Sequence, residues 1–143
     1  RVQKLYDLMV WVAVAVALPT TLFADWVILI LYGADFQEAA DVLKMYIWAG
    51  VFVSLGVASS KWLIAENLER YSFYSTLLGA ILNIVCNFYL IPIYGIRGAA
   101  LATLISYGTA AYLSMAIFEK TRNNFWIATR ALNPYAVYLR ATR

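Results

Sequence analysis

Four long apolar stretches constrain the fold of this 143-residue chain more than any other feature. A helix needs about 20 mostly apolar residues to cross a bilayer, and the stretches run over about 5–22, 45–65, 71–93 and 98–118. Only 13% of the residues are charged, against about 25% in an ordinary soluble domain. No stretch alternates with a period of two, as the strands of a membrane barrel do. The sequence therefore predicts an all-α integral membrane fold with four transmembrane helices.

The apolar character of the first stretch continues well beyond Leu22. One helix over residues 5–31 would be roughly 40 Å long, which exceeds a hydrocarbon core of about 30 Å. We therefore expect the first span to end near Leu22 and a short interfacial helix to follow near 26–32. Asp25 would cap that helix, although a carboxylate inside the membrane with a functional role is the alternative. A second helix should begin near Phe36, with an amphipathic first part at the membrane surface.

The third and fourth spans are joined by "IPIYGIRG", which predicts a hairpin turn. Pro92 should end the third helix, because proline lacks the N–H that a helix interior needs. Gly95 permits the turn that follows. Arg97 is expected to be a solvated charge in this hairpin.

Basic residues are distributed unequally between the two sides that these spans define. Lys44 and Arg97 lie on one side, together with four acidic residues. The other nine lie on the opposite side: Arg1, Lys4, Lys61, Arg70, Lys120, Arg122, Arg130, Arg140 and Arg143. Because loops rich in lysine and arginine remain in the cytoplasm, we expect both ends of the chain to be cytoplasmic.

Residues 119–143 form the expected basic cytoplasmic tail, outside a helical bundle over 1–118. Two interpretations are open: a disordered tail, or a surface helix over about 124–132. The pair Asn133-Pro134 should end any such helix. Anionic lipids would attract the basic residues of the tail.

Small or polar residues recur at every fourth position of two spans, which places them on one helix face. The third span carries Ser75, Gly79, Asn83 and Asn87, and the fourth carries Gly98, Ala102, Ser106, Ala110 and Ser114. Such faces let membrane helices approach closely, so we assign the serine, glycine and alanine positions to helix packing. Asn83 and Asn87 either bond between helices or line a transport path. We expect the two faces to meet, with these asparagines against Gly98 and Ala102.

Few residues carry chemistry. Lys61 lies near the inner end of the second span, where its ammonium either reaches the interface or meets an anionic group of a substrate. The sequence contains no histidine, and no paired carboxylates, activated nucleophile or metal-ligand spacing is evident. A net charge of +3 without a basic soluble face does not indicate nucleic-acid binding. We therefore expect neither an enzyme nor a metal or cofactor site.

Three motifs carry a resemblance to a known family: "YGADFQEAADVLKMY", "KWLIAENLERYSFY" and "LLGAILNIVCNFYLIPIYGIRGAALATLISY". Together they resemble the polysaccharide flippases, which transport O-antigen and other repeat units. These flippases belong to the multidrug/oligosaccharidyl-lipid/polysaccharide exporter superfamily. The resemblance covers roughly residues 19–118.

The resemblance implies a transporter of two pseudo-symmetric helical bundles, of which this chain would be the last four helices. It implies an N-terminal bundle as a partner, and the lipid bilayer as surroundings. The cargo would be undecaprenyl-pyrophosphate-linked oligosaccharide, moved across the bacterial inner membrane during surface polysaccharide biosynthesis. Ion coupling is implied without identifying the ion. Lys61 would hold the anionic part of the substrate, with Asn83 and Asn87 as further substrate-binding candidates.

Other functions remain open at this point. Within the superfamily they are a peptidoglycan-precursor flippase and a multidrug exporter. A membrane-embedded glycosyltransferase or polymerase is a second class, which would need a large outer loop with acids, arginine or histidine. A helical assembly module without transport activity is a third.

Overall fold

The structure is a computed structural model that describes residues 2–141, so Arg1 and Arg143 of the basic set lie outside it. The described residues form helices and turns without a strand. The helices are α1 (Val2–Tyr32), α2 (Gln37–Ala65), α3 (Glu69–Tyr94), α4 (Ile96–Gly108), α5 (Ser114–Ile117), α6 (Arg122–Leu132) and α7 (Pro134–Ala141). A π-helical segment, Thr109–Leu113, joins α4 to α5, and 3₁₀ turns lie at Ala34–Phe36 and Glu119–Thr121.

Four helical stretches are long and apolar enough to cross a membrane, which confirms the predicted all-α membrane fold. They are Val2–Tyr32, Ala34–Ala65, Glu69–Tyr94 and Ile96–Ile117. Val2–Tyr32 and Ala34–Ala65, with 31 and 32 residues, exceed by the widest margin the length that a bilayer of about 30 Å requires. Their additional turns extend past the uncharged part of each span.

The predicted break at Leu22 and the separate interfacial helix near 26–32 are wrong, because α1 is continuous through Pro19 and Asp25. The hydroxyls of Thr20 and Thr21 donate to carbonyls one turn earlier, each at 2.8 Å. These bonds lie next to the proline that cannot donate one of its own. Asp25 caps no helix and pairs instead with Lys44 on α2, at 2.7 Å.

The second helix begins at Gln37, close to its predicted start. Gly33, with a φ of 86°, provides the turn before it. The amphipathic first part of α2 continues into the second span without a break.

The α3–α4 hairpin turns at Gly95, as predicted, where φ is 58°. Pro92 does not end α3, which continues to Tyr94. The proline removes one backbone donor within the last turns, and the Gly95 N–H still donates to Ile91 at 2.8 Å. Position 98 must be glycine for close packing, because a Cβ there would overlap the carbonyl group of Leu90.

The hydrophobic core lies between α1, α2 and α6 and also includes the π-helical segment. Its buried members are Tyr6, Val10, Val51, Leu55, Ala58, Trp62, Leu63, Ala111, Ala128 and Ala131. In contrast, Gly79 is the one buried residue of α3. The third helix therefore contacts the bundle through a narrow surface.

Four charged residues connect α1, α2 and α4 at the end of the bundle that contains the Gly33 and Gly95 turns. Lys44 lies 2.7 Å from Asp25 and 3.7 Å from Asp41. Arg97 lies 2.7 Å from the second oxygen of Asp41, so it is paired rather than free. We call Asp25, Lys44, Asp41 and Arg97 the ion-pair chain, and this end of the bundle the Gly95 end. The opposite end, which contains the start of α1, is the Tyr6 end.

Most of the described residues after the fourth span are helical, which favours the helical alternative over the disordered tail. Helix α6 ends at Leu132, directly before Asn133-Pro134, as expected. Helix α7 follows from Pro134 and was not predicted.

Candidate functional site

A cavity of about 570 Å³ lies between α2, α3 and the α4–π–α5 helix. Most of its polar lining consists of hydroxyl groups, and we call it the hydroxyl groove. Its polar residues are Tyr46, Ser59, Ser60, Ser72, Ser75, Thr76, Asn83, Thr103, Ser106 and Tyr107. Small residues and apolar side chains form the rest: Phe52, Val53, Gly56, Val57, Leu63, Gly79, Ala80, Ala110, Ala111 and Met115.

Small residues create this space. Gly79 approaches the fourth span so closely that a Cβ would lie 2.7 Å from the Ala110 Cβ. On α2, a Cβ at Gly56 would lie 3.5 Å from the Ala111 Cβ. Because the helices meet through residues without large side chains, a groove remains between α2 and α3.

Four hydroxyls of the groove donate their hydrogen to the helix that carries them. Ser60, Thr76, Thr103 and Ser106 donate to the carbonyls of Gly56, Ser72, Ala99 and Ala102 at 2.6–3.0 Å. Such bonds use the hydrogen and leave the oxygen lone pairs as acceptors. The groove therefore presents fixed acceptors.

Donors are also available. Within the described residues, the hydroxyls of Tyr46, Ser72 and Tyr107 have no hydrogen-bond partner, and neither has the amide N–H₂ of Asn83. Ser75 is not among them: the Ser114 hydroxyl donates to the Ala110 carbonyl at 2.7 Å, so the Ser75 hydroxyl donates its hydrogen to Ser114 at 2.8 Å. A ligand rich in hydroxyls both donates and accepts, so it can use both sets of groups.

The three predicted substrate-binding residues lie in two places. Asn83 lines the groove, and the amide of Asn87 donates to it at 2.9 Å. The recorded bond thus runs along α3 rather than across to another helix. The Oδ1 atom of Asn87 is buried without a partner in the described chain. Lys61 is exposed and does not line the groove. It directly follows Ser60, a lining residue on α2.

The predicted packing residues lie along the contact between α3 and the fourth span. Gly79 lies against Ala110 and the Ser106 carbonyl, and Ala102 and Ser106 are buried. Ser75 bonds to Ser114, as described above. The atoms nearest to a Cβ at position 98 belong to Leu90 and Ile91, and the expected contact of the asparagines with Gly98 and Ala102 stays a prediction.

A buried polar network, which the sequence did not predict, joins α1, α2 and α6. The Tyr6 hydroxyl donates to the Asn124 Oδ1, and the Asn124 amide donates to the Ser59 Oγ at 2.6 Å. Ser59 donates in turn to the Met115 sulfur at 3.5 Å. Asn124 is fully buried, so its amide depends on these partners. Ser59 also lines the groove, and α6 is therefore attached to the groove wall.

A second group of polar contacts lies beside this network. Asp7, of which about a tenth of the side chain is exposed, accepts from Arg140 at 3.1 Å. It also accepts from Gln3 at 3.0 Å. Arg140 donates to the carbonyl of Arg130 at 2.9 Å, so α7 connects α1 with the end of α6. The only local signal of this arrangement was an acid near the start of an apolar helix.

Comparison with known proteins gives one partial match. Over 91 residues, or 64% of the chain, the sequence is 31% identical to the "probable low-salt glycan biosynthesis flippase Agl15" of Haloferax volcanii. The match covers 19% of that protein, so the chain spans about a fifth of its relative's length. No family model matches the chain, and no solved structure matches it. The similarity supports a flippase-like family.

Proposed function

We propose that this chain forms part of a flippase that moves lipid-linked glycans across a membrane. The hydroxyl groove carries the proposal, because it offers fixed acceptors and free donors within helices that are long and apolar enough to cross a bilayer. A glycan head group cannot enter hydrocarbon without replacing its hydrogen bonds to water. The relative's name, which refers to glycan biosynthesis, supports the same class of cargo.

We further propose that the cargo consists of undecaprenyl-pyrophosphate-linked oligosaccharide repeat units and that the transporter lies in the bacterial inner membrane. Asn83 and Asn87 would bond sugar hydroxyls, and Lys61 would hold the pyrophosphate. An N-terminal helical bundle would close the open side of the groove, and alternating access would expose it to each side in turn. Ion coupling is part of this proposal, without identifying the ion.

A groove-filling substitution tests the site. Ala80 lines the groove, whereas Leu77 is exposed on the same helix and is not part of the lining. In the protein that carries this chain, Ala80→Trp should abolish transport of a fluorescent lipid-linked oligosaccharide in proteoliposomes. Leu77→Trp places the same indole ring outside the groove and should preserve transport. Equal transport by both variants would show that the groove does not take the cargo.

Lys61→Gln tests the anionic contact separately. Because a hydrogen bond to a charged group contributes about 1.5–3 kcal/mol, KM should rise roughly tenfold or more while the protein remains folded. Lys61→Arg keeps the charge and should retain most of the affinity. An unchanged KM in Lys61→Gln would remove Lys61 from the substrate site and leave the groove proposal intact.

Substrate competition separates the related transporters. The same proteoliposomes are given an oligosaccharide-linked lipid, a peptidoglycan precursor and a cationic drug. Inhibition by the first alone supports the proposed cargo. Transport of the drug without competition from either lipid would identify a multidrug exporter instead.

Topology can be tested with single cysteines after Cys86, the chain's one cysteine, is replaced by alanine. Asp35 lies in the turn before α2, and Asn67 lies in the turn after it; both are exposed. If residues 119–143 and both chain ends are cytoplasmic, a cysteine at 35 reacts with an impermeant reagent added outside intact cells. A cysteine at 67 then reacts only after the cells are opened, and the reverse result would invert the topology.

A further inference from the structure

Helix α6 is attached to the bundle by one face. Asn124, Ala128 and Ala131 lie on that face and are all fully buried. Two side chains of α1 bond to its backbone: Gln3 donates to the Ile127 carbonyl at 3.0 Å, and Trp11 to the Ala131 carbonyl at 3.2 Å. These bonds fix the rotation of α6 about its axis, and so they fix which side chains face outward.

The outward face carries two cations and a large aromatic ring. Arg122, Trp126 and Arg130 follow each other at four-residue intervals, which places them along one side of the helix. All three are exposed, with 54% of Trp126 accessible. Helix α6 contains no acidic residue, and within the described residues neither arginine forms a salt bridge. The helix therefore has a stripe of positive charge around an indole ring.

The position of α6 matches a membrane boundary. On α1, residues 8–24 are uncharged between Asp7 and Asp25, and they would be about 26 Å long, close to the hydrocarbon thickness of about 30 Å. The first boundary therefore lies near Asp7. Because α6 contacts α1 on both sides of that residue, at Gln3, Tyr6 and Trp11, it lies at the depth of the lipid head groups.

We propose that α6 binds anionic phospholipid head groups at the Tyr6 end of the bundle. Arg122 and Arg130 bond the phosphates, and the ring of Trp126 lies at the boundary between head groups and acyl chains, where indole rings concentrate. Anionic lipids attract nearby basic side chains electrostatically. The proposal concerns the surrounding membrane and does not depend on the groove or its cargo.

The test uses the protein that carries this chain, with Cys86→Ala, any cysteine outside residues 1–143 likewise replaced, and an environment-sensitive fluorophore on Asn123→Cys, an exposed position beside the stripe. The protein is placed in nanodiscs of phosphatidylcholine with increasing phosphatidylglycerol. The emission should shift to the blue as the anionic fraction rises, because head groups bound by the two arginines exclude water from the neighbouring fluorophore. Removing both arginines by Arg122→Gln with Arg130→Gln should weaken the lipid contact roughly thirtyfold and abolish the shift. Arg122→Lys with Arg130→Lys should restore it.

The matched control removes the same charge elsewhere at the Tyr6 end. Lys4 and Arg70 are exposed there and lie outside α6, so Lys4→Gln with Arg70→Gln should leave the shift intact. Circular dichroism establishes that each variant keeps its helices. Equal loss of the shift in the control would show that net charge, not the stripe, is responsible. An emission shift that does not depend on the phosphatidylglycerol fraction would also overturn the proposal. So would the same shift in phosphatidylcholine nanodiscs to which inorganic phosphate is added.

Discussion

The two sides of the bundle are held together in different ways. Between α1, α2 and α6, interlocking side chains and a buried polar network fill the contact. Between α3 and the fourth span, the helices meet through glycine, and backbone atoms of one helix lie directly against the other. Large side chains thus fill the contact between α1, α2 and α6, whereas small residues at the contact of α3 with the fourth span leave a groove.

This difference suits the proposed transport. A filled contact resists sliding, because each displaced side chain leaves a void. Contacts between small residues present few obstacles to movement. The π-helical segment Thr109–Leu113 belongs to the open side, where Ala110 faces Gly79. Single-turn π-helical segments are frequent at functional sites, and this one lies at the groove.

The largest predicted effect comes from a substitution of Asn124, which disrupts the filled contact between α1, α2 and α6. Asn124→Leu leaves the hydroxyls of Tyr6 and Ser59 without their partner, and each unpaired buried group costs about 1–3 kcal/mol. We expect a loss of about 3 kcal/mol in the free energy of unfolding, measured by titration with denaturing detergent.

The neighbouring residue provides the control for this substitution. Asn123 is exposed, so Asn123→Leu changes the same chemistry at the helix surface and should leave stability almost unchanged. Equal losses in both variants would mean that the buried network does not hold α6 in place.

A second prediction tests the glycine contact. Gly98→Ala places a Cβ against the backbone of α3, which cannot move as a flexible side chain can. Overpacking typically costs about 1–3 kcal/mol, and we expect about 2 kcal/mol together with a separation of α3 from α4. The separation can be measured by disulfide cross-linking between Leu90→Cys and Ala99→Cys. The yield of the cross-link should fall when Gly98→Ala is added.

The sign of the change in the free energy of unfolding when glycine is replaced by alanine distinguishes close packing from helix propensity. Gly50 lies in α2 with no atom near its missing Cβ. Alanine favours a helix over glycine by up to about 1 kcal/mol, so Gly50→Ala should stabilise the protein by roughly that amount. Stabilisation by Gly98→Ala as well would contradict the close approach of the two helices.

Hydropathy was sufficient to predict the number and approximate position of the spans, since apolar length is a local property. The break at Leu22 was predicted because the helix was expected to match the bilayer. In the structure the helix continues, with the hydroxyls of Thr20 and Thr21 bonded to the preceding turn, and Asp25 pairs with Lys44 on another helix. A pairing between residues 25 and 44 has no local signal in the sequence.

The site was predictable to a similar extent. The four-residue period places Gly79 and Asn83 on one face of α3, and it places Ser106 on one face of the fourth span. It could not show that α2 stands apart from α3 to form a groove, because that depends on how three helices pack. Asn124 and Tyr6 are separated by 118 residues along the chain, so their contact follows from the complete fold.

The smallest predicted effect concerns the ion-pair chain at the Gly95 end, whose groups remain accessible. Nearly half of the Arg97 side chain is exposed, and an exposed ion pair contributes about 0.2–1 kcal/mol. Arg97→Gln should therefore destabilise the protein by less than about 1 kcal/mol, and the difference should disappear in high salt because mobile ions screen exposed charges. Arg97→Lys keeps the charge and should behave almost as the parent does. A salt-independent loss as large as that of Asn124→Leu would mean that the exposed ion-pair chain holds the bundle as firmly as the buried polar network between α1, α2 and α6 does.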